Sequence, residues 1–586
     1  MQLPAILLKP VYNFKENKMR KMLISRGIFI VFITLLVYLP ALQNEFVNWD
    51  DPKYIVEMQR FQPINMTNIH QIFTGFYVAN WHPLTILSHA IDYRIWGLNP
   101  FWHHLGNNIL HGFNTLLVLI LTFQLVTVNK IKGEGRRYAL SAASITALLF
   151  AIHPLHVESV AWVSERKDLL CAFFFLLSII FYNKYRSSDS KKAVLYFCTL
   201  FSFMLSLFSK PMAVTLPLVL LILDFYPLRG FTKEKDHRQI MWLIVEKIPF
   251  FIFSLIASVL TMKAQVEFNA LSSTRVFPLM ERLLNGIHSL AFYWIKMLFP
   301  FNLAPLYPYP GEISFFSPEY LFSAIAVVLI TLFALLRFNK NKLYFSVWIY
   351  YLVTLLPVIG IIQAGGQSAA DRYIYLPGVA PFILAGLACS SLVCGKEKVM
   401  ALLARAAILF CSLLLVIVTV KQTGIWQNSL NLWNHEIKVL PKSSPFIYNN
   451  RGTAYMQLKK YEEANADFAK AIELGPTYLD FYRSRGNSYM ELGHFAEAIY
   501  DYSHIIKIDD KNEIAYNSRG AAYHILGRTN EARRDYEKAL EINPDNGRAF
   551  YNIALIFEEA GEMEQAFLYY QKAASLGIAE AVHKLQ

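Results

Sequence analysis

Residues 27–42, GIFIVFITLLVYLPAL, run straight into residues 48–52, NWDDP. Sixteen nearly unbroken apolar residues read as the end of a helix that enters a bilayer, for which about 20 such residues are needed. The paired carboxylates of Asp50 and Asp51 then stand just past the membrane surface, where charge is costly to hold and must face water or a cavity. Around this stretch the rest of the 586-residue chain sorts itself. It is 55% hydrophobic with a mean hydropathy of +0.32, and its apolar runs continue to Val420. After Lys421 the sequence turns polar. The expectation is an all-α protein: a polytopic transmembrane helical domain followed by a helical repeat solenoid.

Candidate spans lie near 23–43, 104–127, 139–154, 167–184, 193–209, 211–227, 240–262, 319–337, 343–363, 373–393 and 399–420. The net charge of +12 does not point to nucleic acid, because the basic residues sit in short connectors between apolar runs, as in cytoplasmic loops. With about eleven spans, the N-terminal tail, Lys130–Arg137, Lys184–Lys192, Arg229–Arg238, Arg337–Lys342 and Lys396–Lys398 all fall on one side. The segment 283–303 is apolar but carries His288 and Lys296, and is read as interfacial or re-entrant. The layout expected is a cytoplasmic tail at 1–22, with an uncleaved signal-anchor after it. A membrane domain follows at 23–422, its first outer loop at 44–103, then a linker at 423–445 and a repeat domain at 446–586 on the periplasmic or lumenal side. Five cysteines, none in a CxxC or metal-type spacing, imply no disulfide framework.

The tail repeats every 34 residues. Gly452, Gly486, Gly520 and Ala554 share one register; Ala464, Ala498, Ala532 and Ala566 share a second; Tyr455, Tyr489, Tyr523 and Phe557 share a third. Small residues are needed where two helices of a unit approach closely, and aromatics fill the adjoining holes. This is the pattern of the tetratricopeptide repeat, with about four units from 446 to 580 stacking into a superhelix. Such arrays bind protein partners.

Six polar clusters fall at outer ends of the spans: His82 in Trp81-His82-Pro83; Trp102-His103-His104; His153-Pro154-Leu155-His156-Val157-Glu158; Glu165-Arg166-Lys167-Asp168; Lys210 before Pro211; and Asp371-Arg372-Tyr373. Each has a plainer reading. Asp50 and Asp51 fit an Asx turn or an N-cap before Pro52. Lys167 and Lys210 fit snorkelling lysines, and Arg372 fits an ion pair with Asp371. His153, His156 and Glu158 offer two imidazoles and a carboxylate to zinc, although Pro154 argues against the regular helix that would align them. Together the clusters suit transfer of a sugar from a polyprenyl phosphate. Asp50 or Asp51 would be the base for an acceptor hydroxyl, and Arg372, Lys210 and Arg166 the cations on the departing phosphate. Glu158 would stand beside an oxocarbenium-like centre, with His82, His153, His156, Asp168, Asp371 and Tyr373 in support. A single displacement inverts the anomeric carbon.

The order Asn48-Trp49-Asp50-Asp51, His-Pro-x-His-x-Glu-Ser at 153–159, Arg166-Lys167-Asp168, Lys210-Pro211 and Arg372-Tyr373-Ile374-Tyr375-Leu376-Pro377, ending in tetratricopeptide repeats, resembles the transmembrane and tetratricopeptide-repeat O-mannosyltransferases and their bacterial relatives in the glycosyltransferase C superfamily. The resemblance implies an acidic first outer loop at the active site. It also implies a polyprenyl-phosphate-linked mannose or similar hexose as donor and a protein hydroxyl as acceptor. No cofactor is implied as required, and a divalent metal is left open. The setting would be a bacterial inner membrane or an ER-type membrane. An oligosaccharyltransferase of the O-antigen ligase type would need a long late outer loop, and 363–372 is short. A non-catalytic repeat scaffold in the membrane is the other alternative. A transporter is disfavoured, since no broken-helix inverted repeat is visible.

Overall fold

The computed structural model describes residues 17–128, 134–188, 190–228, 237–271, 277–310, 313–363, 365–441 and 444–586. The tail before Asn17, half of the connector Lys130–Arg137 and most of Arg229–Arg238 lie outside the described residues. The chain divides into two compact units, Met1–His435 and Glu436–Gln586. Among the described residues both are helical, the first unit also holding one two-residue and one three-residue strand.

The first unit contains α1 (Asn17–Val37), α2 (Asp51–Tyr54), α3 (Met66–Thr74), α4 (Pro83–Trp96), α5 (Pro100–Thr127), α6 (Glu134–Ile152), α7 (Val157–Ala161), α8 (Arg166–Ser187) and α9 (Lys192–Ser209). It continues with α10 (Leu216–Phe225), α11 (His237–Val245), α12 (Ile248–Glu267), α13 (Leu279–Leu298), α14 (Pro318–Leu336), α15 (Lys342–Leu355), α16 (Val379–Val393), α17 (Lys398–Thr423) and α18 (Ser429–Val439). Sequence sets their ends. Proline opens α4, α5 and α14, where a missing N–H costs nothing. Asn99 and Asn341 cap α5 and α15 by accepting the Phe101 and Leu343 amides.

Among the described residues, six helices are long and apolar enough to cross a membrane, or seven if the bent pair Gly135–Ile152 and Pro154–Ala161 is one span. Three shorter apolar helices, Pro211–Phe225, Lys342–Val358 and Val379–Val393, stand beside them. The chain is an integral membrane protein. The span expected at 373–393 starts as a helix only at Val379, because residues 371–374 form a 3-10 turn. Of segment 283–303, residues 283–298 belong to one unbroken helix, α13, with Arg282, Asn285 and Ser289 turned inward and Leu283, Ile295 and Leu298 exposed, and residues 299–303 leave it. Residues expected to be linker hold the end of α17, a 3-10 turn at Gly424–Gln427 and α18.

The second unit is α19 (Pro445–Gln457), α20 (Tyr461–Leu474), α21 (Leu479–Glu491), α22 (Phe495–Ile508), α23 (Glu513–Ile525), α24 (Thr529–Ile542), α25 (Gly547–Glu559), α26 (Met563–Ser575) and α27 (Ala579–Leu585), paired in sequence order. The 34-residue period has a direct steric cause. A Cβ on Gly452, Gly486 or Gly520 would come within 2.6, 2.7 or 2.7 Å of the ring of Phe468, Tyr502 or Tyr536. In each of the first three units an arginine donates from Nε and one Nη to both oxygens of an aspartate sixteen residues on: Arg451 to Asp467, Arg485 to Asp501 and Arg519 to Asp535. In the fourth unit Ile553 and Tyr569 replace that pair.

Candidate active site

Local breaks in the helices create the site. Pro154 ends the run of α6 and turns the chain by 55° into α7. Two residues past Pro52 the short α2 closes. Pro211 forces Lys210 into extended backbone between α9 and a 3-10 turn. At each break a polar side chain is released from its helix and turned inward.

The two aspartates part company. Asp51 is buried and both of its oxygens are committed: Oδ2 accepts the Val47 amide at 2.9 Å, and Oδ1 accepts the Ser164 amide at 3.1 Å and the Ser164 hydroxyl. It ties the first loop to the turn before α8. Burial pushes its carboxyl up to about 6, against the pull of the Ser164 and Val47 hydrogen bonds and with a further push from Asp50. Asp50 occupies the N-cap position of α2, but its side chain caps nothing and is half-buried. It lies within electrostatic reach of Lys167 and Tyr54.

Behind Asp50 is a network of charges. Glu165 accepts from Lys167 at 2.9 Å, Lys210 at 3.4 Å and Arg372 at 3.4 Å. Lys210 also reaches Asp168 at 2.5 Å, and Arg372 binds Glu158 through its backbone amide at 2.8 Å and through its guanidinium. Three cations therefore share three carboxylates in a region closed to bulk water, the arrangement that buried charge requires. The Arg372 turn is pinned by Tyr307, which donates to Asp371 at 2.9 Å, and by Tyr293, whose hydroxyl bonds Ala370. A short ladder of β1 (Tyr307–Pro308) with β2 (Gln367–Ala369) leads into it.

Aromatic rings form one wall. Trp49 stacks on Trp162 with centroids 4.5 Å apart, and Trp162 on Trp426 at 5.3 Å. Trp433 donates to Asn48 at 2.8 Å. The guanidinium of Arg372 lies 5.5 Å from the Trp162 ring and 5.1 Å from that of Tyr373, and Lys167 lies 4.7 Å from Tyr54. His82 stacks on Tyr54 at 5.4 Å; burial, with Lys167 and Lys210 beside it, lowers its imidazole to about 3, so it is neutral.

Asp50, Asp51, His82, Glu158, Asp168, Lys210, Arg372 and Tyr373 thus belong to one region. Others from the sequence are used elsewhere. Arg166 points away from the network, to Asp92, to Asn107 at 2.9 Å and to the His103 carbonyl at 2.9 Å. His153 bonds the Met297 carbonyl at 3.0 Å and the Leu155 amide at 3.3 Å, and His156 bonds the Phe150 carbonyl at 2.7 Å. Both ring nitrogens of His153 are bonded and Glu158 is held by Arg372, so only Nε2 of His156 is left without a partner and the zinc reading of this trio lacks a ligand set. Among the described residues no group of three or more His, Cys, Asp or Glu side chains is placed to hold a metal ion. Arg372 pairs with Glu158 and Glu165 rather than simply with its neighbour Asp371. Asp224 sits in a separate cluster with Lys247, Arg186 and Tyr182, at the far ends of α8 and α10. The central part of Glu165, the site position of Lys167 and the tryptophan wall escaped the sequence reading. Glu165 and Lys167 adjoin Arg166 and Asp168, so the run carried the signal. The tryptophans come from distant parts of the chain and gave none.

A helical membrane unit with a polar network at one end, followed by a solenoid, defines the class. Tetratricopeptide-repeat models match residues 445–478, 486–527, 514–546 and 535–567. A protein O-mannosyl-transferase of Caenorhabditis elegans is 23% identical over 487 residues, covering 79% of this chain and 64% of that protein. Protein O-mannosyl-transferase TMTC4 of Mus musculus is 35% identical over 162 residues, 26% of this chain and 22% of its own. TMTC1 of Homo sapiens is 33% identical over 158 residues, 25% and 17% respectively. The aligned parts therefore span from under a fifth to just under two thirds of these relatives' own length. The crystal structure of MamA aligns over 27% of this chain and 91% of its own at 23% identity, with a TM-score of 0.24.

Proposed function

We propose that the chain is a membrane glycosyltransferase. It moves mannose or a similar hexose from a polyprenyl-phosphate carrier to a protein hydroxyl, with inversion, at the outer face of the membrane, and the repeats recruit the acceptor or a partner protein. The observation that carries this reading is the pairing of one uncommitted, half-buried carboxylate, Asp50, with a wall of cations that still hold unspent N–H groups. Asp50 takes the proton of the acceptor hydroxyl as its oxygen bonds to the anomeric carbon and the carbon–phosphate oxygen bond breaks. Lys210 and Arg372, with Lys167 in the place first given to Arg166, meet the charge that grows on the leaving phosphate; fixed donors aimed at developing charge are the largest single aid to such a step. Glu158, turned away by its pair with Arg372, keeps that guanidinium oriented. The likeness to protein O-mannosyl-transferases supports the donor and acceptor classes. The same reading puts the repeats on the periplasmic or lumenal side of a membrane domain spanning about 23–422.

The test is transfer by the purified full-length protein, in vesicles, from polyprenyl-phosphate mannose to a serine- and threonine-containing peptide. Asp50→Asn should lower turnover about a hundred- to ten-thousand-fold, the range for a lost general base, with thermal stability unchanged. Asp51→Asn should instead lower stability, since its amide would set an N–H against a donor that now meets a carboxylate oxygen. No transfer by the wild-type protein with any polyprenyl-phosphate hexose would leave a membrane-anchored scaffold as the better reading.

A further inference from the structure

Within the membrane unit a cavity of about 480 Å³ lies between α5, α8, α10, α15 and α16. One wall is a single face of α16, given by Ala380, Ile383, Leu387 and Ser391. Their spacings of three, four and four keep them in line on a helix. Eleven residues of rise make the cavity about 16 Å long. Facing this wall are aliphatic side chains such as Leu121 and Val347. The size is within the range of roughly 300–1,000 Å³ typical of ligand sites, which are mostly apolar with a few polar groups, as this lining is.

Its ends differ. α16 begins seven residues after Arg372 and α8 begins at Arg166, so both helices run from the charged network toward the other end of the cavity. At that other end the lining includes Asn341, Tyr138 and Ser391. Their hydrogen bonds are already in place: Asn341 caps α15, Tyr138 donates to the Leu387 carbonyl at 3.0 Å and Ser391 to the Ala388 carbonyl. Cations surround this end in sequence. Lys342 follows Asn341, its ammonium 4.6 Å from the Phe225 ring, whose neighbour Tyr226 also lines the cavity. Arg337, Lys340 and Arg137 are exposed nearby in the chain. An apolar slot with cations at one mouth matches a lipid on both counts, the hydrocarbon in the slot and the anionic headgroup at the mouth.

We propose that this slot holds one hydrocarbon chain of a resident anionic phospholipid whose phosphate rests against Lys342. The lipid is a built-in part of the packing between α15 and α16, separate from any lipid-borne substrate, and the proposal stands whether or not the chain transfers sugars.

Native mass spectrometry of the full-length protein, extracted from membranes in mild detergent, tests it. The wild type should carry one phospholipid-mass adduct with an anionic headgroup. Ala388→Trp, which sets an indole on the lining of the slot near its mouth, and Lys342→Glu, which reverses the charge there, should both lose it. Independently of any variant, added phosphatidylglycerol should raise the melting temperature of delipidated wild-type protein and phosphatidylcholine should not, as expected for a ligand that binds only the native state. A wild type without an adduct, an adduct that persists in Ala388→Trp, equal stabilisation by both lipids, or an adduct that proves to be a polyprenyl phosphate would each overturn the proposal.

Discussion

Arg485 in the repeats and Arg372 in the membrane unit both bury a guanidinium against carboxylate. Arg485 meets one aspartate, Asp501, at 2.9 and 2.7 Å, and the same pair recurs 34 residues before and after it. Arg372 divides its donors between Glu158 and Glu165, and Glu165 in turn serves Lys167 and Lys210. The first arrangement is closed in charge: each guanidinium is matched one to one by a single carboxylate. The second is shared, so each ammonium and guanidinium keeps donors that a phosphate could use. Pairs that repeat belong to the packing of a solenoid, while charges shared unevenly at the breaks of helices are the ones to which the proposed chemistry is assigned. The fourth repeat has Ile553 and Tyr569 where the others have Arg and Asp, so a unit can fold without the closed pair.

The largest effect should come from the hub. Glu165→Ala leaves Lys167, Lys210 and Arg372 facing one another with only Glu158 and Asp168 to balance them. Removing one partner of a buried ionic group costs about 3–5 kcal/mol, so the variant should unfold at markedly lower temperature or fail to accumulate. Asp501→Ala removes a single closed pair. Arg485 is 19% exposed, so water can solvate part of what it loses, and a cost of about 1–3 kcal/mol is expected. Asp501→Ala combined with Asp467→Ala should be close to additive, as for separate sites; within the membrane network Asp168→Ala combined with Glu158→Ala should depart strongly from additivity, since both lean on cations tied to Glu165. Thermal or denaturant unfolding of the single and double variants measures both.

Much of this contrast could be read before any coordinates. The 34-residue register named the close contacts of the repeats, because a period repeated four times identifies the small positions without knowledge of their neighbours. Hydropathy marked the membrane unit, and the acidic loop and its candidate cations were singled out by their place at the ends of spans. What the sequence could not give was direction. Arg166 and Lys167 are adjacent, yet one faces Asp92 and the other Glu165, since neighbouring residues on a helix diverge by about 100°. Asp50 and Asp51 look interchangeable until Ser164, more than a hundred residues away, claims the second. The helix at 429–439 escaped for the same reason, its anchor being the Asn48–Trp433 bond across the unit.

Within the repeats a glycine probes how tightly the closed design is drawn. Gly520→Ala would place a methyl 2.7 Å from the Tyr536 ring and 3.2 Å from the Ala532 carbonyl. The ring has no slack in a fully buried position, so overpacking of this kind should cost about 1–3 kcal/mol. Gly366→Ala, whose added Cβ meets nothing within 4 Å, is the control and should be close to neutral.

The smallest effect has the opposite sign. The first helix of each unit ends in a left-handed residue: Gly493 at φ 76°, Gly527 at 73° and Gly561 at 78°. The first unit breaks the rule, with Lys459 in the same register at φ 56°. A side chain there crowds the carbonyl beside it, at a cost of roughly 1–2 kcal/mol that glycine escapes. Glycine also has more freedom to lose on folding, which returns about 0.5–1 kcal/mol. Lys459→Gly should therefore stabilise the repeats by up to about 1 kcal/mol, and the gain should appear in unfolding of the second unit while that of the first unit stays the same. A loss of stability would mean that Lys459 makes a contact worth more than the strain of its backbone, and the first repeat would then have to be regarded as specialised rather than as an imperfect copy of the others.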